Sequence, residues 1–181
     1  MKLKSKELRK SEPTPEEIAA VTRNPIYLVL DRIVDTYNIG SLFRLADAIA
    51  VKKMYLCGQM EYPPSSRIHK AAVGTESWVP WEKTDSTLAT IEKLKAKGIQ
   101  IIAVEQHKKS INYKDLTFEK IKFPVAIICG NESYGLTKEV MEKCDIIVEL
   151  PMFGVNKSFN VWGSTAVISY KVLESIKDQI S

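Results

Sequence analysis

A chain of 181 residues with 45% hydrophobic content has room for one packed core and not for two large domains. No apolar run approaches the roughly 20 residues of a membrane span, and the charged start MKLKSKELRK lacks the apolar segment of a signal peptide, so a soluble, cytoplasmic protein with no membrane partner is expected. The formal charge of +4 sits in one place: Lys2, Lys4, Lys6, Arg9 and Lys10 stand against Glu7 within residues 1–10, and the rest of the chain balances.

That basic arm suits the phosphates of RNA or DNA, and it equally suits a solvated terminus. After it, PTPEEIAAVTRN predicts a short helix with Thr14 as cap and Pro15 at its first position. The expected division is an arm and helix over residues 1–24 and a single domain over 25–181.

From residue 25 onward, strand-like and helix-like segments alternate. Apolar runs of strand length occur at 26–30 (IYLVL), 53–58 (KMYLCG), 99–104 (IQIIAV), 123–130 (FPVAIICG) and 145–150 (DIIVEL). Helical patterns lie between or after them: NIGSLFRLADAIA, SSRIHKAAVG, STLATIEKLKAKG, LTKEVMEKC and SFNVWGSTAVISYKVLESIK. Near-continuous apolar strands separated by amphipathic helices predict an α/β fold, a parallel sheet with helices on both faces. Ligands in such sheets bind beyond the carboxyl ends of the strands, which directs attention to VEQHKKS, CGNESYG and LPMFGVNKSFN.

Each of these regions has an ordinary reading and a functional one. In the helix after DRIVDTYNIG, Ile39, Leu42, Phe43, Ala46, Ile49 and Ala50 form an apolar stripe, and Arg44 falls off it. Arg44 is placed either for a surface ion pair with Asp47 or, beside Asn38 and Gly40, for a phosphate or developing oxyanion. CGNESYGLT has the glycine spacing of a phosphate loop, but Leu136 and Thr137 stand where that loop needs Lys and Ser or Thr, which excludes a nucleotide triphosphatase. Glu132, taken alone, reads as a carboxylate favoured at a helix N-terminus. Ser158 and Asn160 read as helix-opening caps, in a loop whose Gly154 also leaves backbone open to a small molecule. Cys57, Cys129 and Cys144 are odd in number and widely spaced, with only His69 and His107 as nitrogen partners, so neither a disulfide framework nor a metal site is indicated.

Three of these segments together, NIGSLFR (38–44), CGNESYG (129–135) and LPMFGVNKSFNV (150–161), resemble the three ordered motifs of the SpoU/TrmH family of RNA ribose 2′-O-methyltransferases in the SPOUT superfamily. The resemblance runs from about residue 25 to 175, with further matches at HKAAVGTESWVPW and VEQHKKS. It implies S-adenosylmethionine as methyl donor, an RNA ribose as acceptor, a homodimer, and a C-terminal deep trefoil knot that no periodicity argument predicts. It also implies roles: Arg44 at the 2′-hydroxyl with Asn38, Glu132, Ser158 and Asn160 ordering the catalytic site, and Val104, Gly130, Leu150, Met152 and Phe159 lining the adenosine pocket. In this family the arginine has been viewed as the base; a guanidinium stays protonated, which favours an electrostatic or phosphate-anchoring role. Phe159 replaces the family's usual Leu, and Trp162-Gly163 stand where small residues are usual.

The basic arm and single N-terminal helix resemble the tRNA guanosine branch more than the ribosomal-RNA members that carry a large extra domain. An rRNA methyltransferase, a knotted RNA-binding domain without methyl transfer, and a small-molecule enzyme of flavodoxin-like architecture are the alternatives.

Overall fold

In the computed structural model, which describes residues 12–180, the apolar runs pair into a seven-stranded, wholly parallel sheet. The basic arm expected to contact RNA lies outside the described residues. The strands are β1 (Asn24–Asp31), β2 (Val51–Cys57), β3 (Trp81–Thr84), β4 (Gln100–Val104), β5 (Ile111–Asn112), β6 (Val125–Cys129) and β7 (Ile146–Glu149), in the spatial order β3-β2-β1-β6-β4-β7-β5. β6 lies at the centre, with Ile127 in register with Leu28 of β1 and with Ile102 of β4, and its five side chains are buried. That continuous burial is why the segment carries no polar alternation.

Successive residues of the central strands feed two separate cores, as the period of two requires. Leu28, Leu30 and Ile127 pack on one face with Phe43 and Ile168, whereas Val29 and Ile128 pack on the other with Ile91, Leu94 and Val140. Helices α2 (Thr36–Ala48), α3 (Ser66–Ala72) and α6 (Val161–Ile180) supply the first face; α4 (Thr87–Lys95) and α5 (Lys138–Lys143) supply the second. The short α1 (Pro15–Ala19) precedes the sheet, and Thr14 caps it in a reciprocal box with Glu17, as its sequence predicts. Gly40 lets α2 and α3 touch backbone to backbone, since a Cβ there would stand 2.6 Å from Ile68 O and from Ala71 Cβ.

The α/β reading is borne out, with two strands added. β3 (WEKT) and β5 (IN) occupy the two edges of the sheet, where a short, partly polar segment is tolerated because only one side is paired. The last helix opens at Val161, three residues later than the polar cluster at Ser158 suggests.

Candidate functional site

The chain leaves β4, β6 and β7 at one edge of the sheet, and the loops that follow enclose a cavity of about 570 Å³. All five residues expected to line an adenosine pocket border it: Val104 at the end of β4, Gly130 after β6, Leu150 and Met152 after β7, and Phe159 before α6. The loop from Gly130 to Leu136 turns back on itself so closely that a Cβ on Gly130 would lie 2.6 Å from Gly135 C and Leu136 N. Asn131 sets this turn. Its Oδ1 accepts from Ser133 N at 2.9 Å and Tyr134 N at 3.0 Å, its carbonyl accepts from Gly135 N at 2.8 Å, and its Nδ2 donates to Arg32 O at 2.8 Å.

Glu105 fastens the other end of the loop. Its Oε2 accepts from Leu136 N at 2.9 Å and its Oε1 from Gln106 N at 2.9 Å, and a side chain on Gly135 would run into the same carboxylate. Gly135 has φ of +63°, a conformation glycine adopts without a Cβ penalty. Sequence reasoning passed over Glu105 and Asn131. The visible sign was an Asn two residues ahead of a Ser-Tyr-Gly turn, the usual setting for a side-chain-to-backbone turn.

Glu132, Asn38 and Asn160 meet in one polar relay. Glu132 accepts from Val34 N at 2.9 Å, Asp35 N at 3.0 Å and Asn38 Nδ2 at 2.9 Å. Asn38, 3% exposed, then accepts from Asn160 Nδ2 at 3.1 Å through its Oδ1. Asn160 also caps α6, its Oδ1 taking Trp162 N at 2.9 Å. The helix-dipole reading of Glu132 is corrected in one respect: the helix it meets is α2, which begins 96 residues earlier, because α5 starts only at Lys138. Burial pushes the Glu132 carboxyl up, but donation from Val34, Asn38 and Asp35 outweighs it and holds the group below the usual carboxylate range. Ser158 lines the cavity and makes no hydrogen bond among the described residues.

Arg44 stands apart from this cluster. It lies on the exposed side of α2, about 9 Å along the helix from Asn38, and does not line the cavity. The ion pair with Asp47 is absent, because Asp47 accepts instead from Trp78 Nε1 at 2.7 Å. Among the described residues the guanidinium has no hydrogen-bond or ion-pair partner.

The unusual residues at the start of α6 compensate for each other. The Phe159 ring lies over Gly163, where a Cβ would be 2.8 Å from Phe159 Cε1, so the larger ring is seated on a position without a side chain. Cys129, the last residue of β6 and neighbour of Gly130, is 1% exposed, and burial raises its thiol to about 12. No group of metal-ligating side chains is found among the described residues.

A model of the SpoU rRNA Methylase family matches residues 25–170. The chain is 27% identical over 156 residues to a tRNA (guanosine(18)-2′-O)-methyltransferase of Aquifex aeolicus, covering 86% of this chain and 72% of that one. It is 31% identical over 144 residues to the 23S rRNA (guanosine-2′-O-)-methyltransferase RlmB of Neisseria meningitidis, covering 80% and 56%. The AdoMet-bound rRNA methyltransferase structure from Sinorhizobium meliloti superposes with a TM-score of 0.77 at 25% identity, covering 84% of this chain and 57% of that one. The chain spans less than three fifths of the length of several of the curated relatives it matches.

Proposed function

The chain belongs to the SpoU rRNA methylase family, and from that premise we propose that it transfers a methyl group from S-adenosylmethionine to the 2′-oxygen of an RNA ribose. The observation that carries the proposal is the Glu132–Asn38–Asn160 relay bordering a cavity beyond the carboxyl ends of β4, β6 and β7. The lining also fits the donor. Val104, Leu150, Met152 and Phe159 offer apolar surface to an adenosine, and Glu105, Glu132 and Glu149 are the charged groups, with no Lys, Arg or His among the lining residues. That charge balance suits a cationic sulfonium and disfavours a polyphosphate.

S-adenosylmethionine, when bound, supplies an electrophilic methyl group on a cationic sulfur. The protein's share is alignment of the ribose oxygen and management of its proton. Glu132 is a poor base, since its carboxylate is held low and already takes three N–H donors, so its task is to fix Asn38 and the start of α2. Transfer to the ribose oxygen would also require that oxygen to give up its proton, and no lining side chain is a Lys, Arg or His that could hold it. Arg44, exposed and unpartnered among the described residues and outside the cavity lining, is free to anchor an RNA phosphate. Asn160 orders the opening of α6, Ser158 stands in the cavity lining with its hydroxyl open to the donor or the ribose, and the basic arm adds phosphate contacts.

The finer reading is a tRNA guanosine acceptor, supported by the Aquifex relative's coverage of 86% of this chain. A homodimer is supported by Trp162, Val167 and Tyr170, large apolar residues of α6 left 36%, 40% and 50% exposed. A trefoil knot is supported by the insertion of β6 between β1 and β4, followed by β7 beyond β4 and the return of α6 across the face held by α2. No helix among the described residues is long and apolar enough to cross a membrane, which agrees with a cytoplasmic site of action.

The test is transfer from labelled S-adenosylmethionine to total tRNA and, separately, to ribosomal RNA, with nucleoside analysis and Arg44→Ala as control. Arg44-dependent label in a 2′-O-methylguanosine of tRNA is expected. Label confined to ribosomal RNA would favour the second reading, which the Neisseria relative supports. Cofactor binding with no label in either pool would overturn methyl transfer to these RNAs, and loss of cofactor binding as well would favour a binding-only domain.

A further inference from the structure

An aromatic ring held in water needs a reason, and Tyr134 is 86% exposed on one of the most tightly constrained loops of the site. Its N–H is fixed by Asn131 Oδ1 at 3.0 Å, and the backbone bridge between Asn131 and Gly135 closes the turn that carries it. Tyr134 borders the cavity beside Ser133 and lies two residues from Glu132, at most about 7 Å between their Cα atoms. Its hydroxyl has no hydrogen-bond partner among the described residues.

We propose that Tyr134 is the stacking platform for the base of the nucleotide whose ribose is methylated. The inference rests on the methyl-transfer reading. In a nucleotide the base is attached to the carbon next to the one that bears the reacting hydroxyl. Once that hydroxyl is at the edge of the Glu132–Asn38 relay, the base must lie within one nucleotide's width of it, at the mouth where Tyr134 stands. Asn131, Glu132 and Ser133 share its turn, so Tyr134 is the one aromatic side chain that this turn offers to the cavity. A single aromatic face of this kind holds bases by stacking and tolerates any of them. Tyr134 therefore positions the acceptor, and the discrimination between bases falls to other contacts.

The experiment compares Tyr134→Ala and Tyr134→Phe with wild type on the RNA that wild type labels, and on a synthetic copy of it lacking the base at the acceptor nucleotide. Tyr134→Ala is expected to lower kcat/KM for RNA roughly ten- to hundredfold, with a far smaller change in the Kd for S-adenosylmethionine and no change in the melting temperature. Tyr134→Phe keeps the ring and is expected to retain activity. On the abasic RNA the gap between wild type and Tyr134→Ala is expected to close. An alanine variant as active as wild type, an equal loss on the abasic RNA, or a change of oligomeric state in Tyr134→Ala would each overturn the proposal. Failure of wild type to label any RNA would remove the methyl-transfer reading and this one with it, whereas an active wild type indifferent to Tyr134→Ala refutes this one alone.

Discussion

Replacing Glu132 by Gln should destabilise the protein in a way that depends on pH. The carboxylate takes Val34 N through Oε2, and Asp35 N and Asn38 Nδ2 through Oε1. A Gln amide keeps one oxygen and turns an NH₂ group toward the remaining N–H, so at least one donor loses its acceptor. Hydrogen bonds to a charged group contribute about 1.5–3 kcal/mol, and the partial exposure of Glu132 discounts that to about 1–2 kcal/mol at neutral pH. The Glu132 carboxyl is held below its ordinary value of 4.5 in the folded protein. Its contribution is therefore fully present above the ordinary value and is lost as pH falls through the lower, folded one. Once protonated, Glu132 also carries an O–H where Gln carries an N–H, and the two side chains become nearly equivalent. Urea melts of both proteins between pH 7 and pH 3.5 should show a gap that is constant down to about pH 5 and narrows below it. A gap of the same size at every pH, or none at pH 7, would refute the reasoning.

Asn160→Asp keeps the acceptor for Trp162 N but turns a carboxylate oxygen toward Asn38 Oδ1, which loses its donor, so urea melts should show a loss of about 1–2 kcal/mol while methyl transfer falls at least tenfold; Asn160→Ala also loses the cap, about 1 kcal/mol. Gly135→Ala combines a positive φ with a clash against Glu105, and should cost about 2–3 kcal/mol. In a Glu105→Ala background the clash is gone, so the double-mutant cycle should give a coupling of about 1 kcal/mol; strict additivity would show that the two residues do not share a contact.

Much of the sheet was legible because five of its strands are apolar runs bounded by breaks in pattern. The two edge strands were not, since WEKT carries two charged residues and Ile111–Asn112 is too short to show a period. The convergence of the three loops followed from the rule that ligands bind beyond the strands' carboxyl ends. The partners inside the cluster did not follow from it. Glu132 takes backbone donors 97 and 98 residues away, and Asn160 reaches Asn38 across 122. Local spacing cannot encode such pairs. The same limit explains Arg44, whose expected neighbour Asp47 is three residues away but bonds to Trp78, 31 residues from it.

The burial of Cys129 matters for a protein proposed to handle a reactive methyl donor. A thiol is a softer and stronger nucleophile than a ribose hydroxyl once it loses its proton, and this one is the immediate neighbour of Gly130 in the cavity wall. Burial raises its pKa to about 12, so the thiol stays protonated at neutral pH. Enclosure within β6 thus keeps a rival nucleophile covered and protonated beside the cavity, which disfavours its alkylation by the proposed donor.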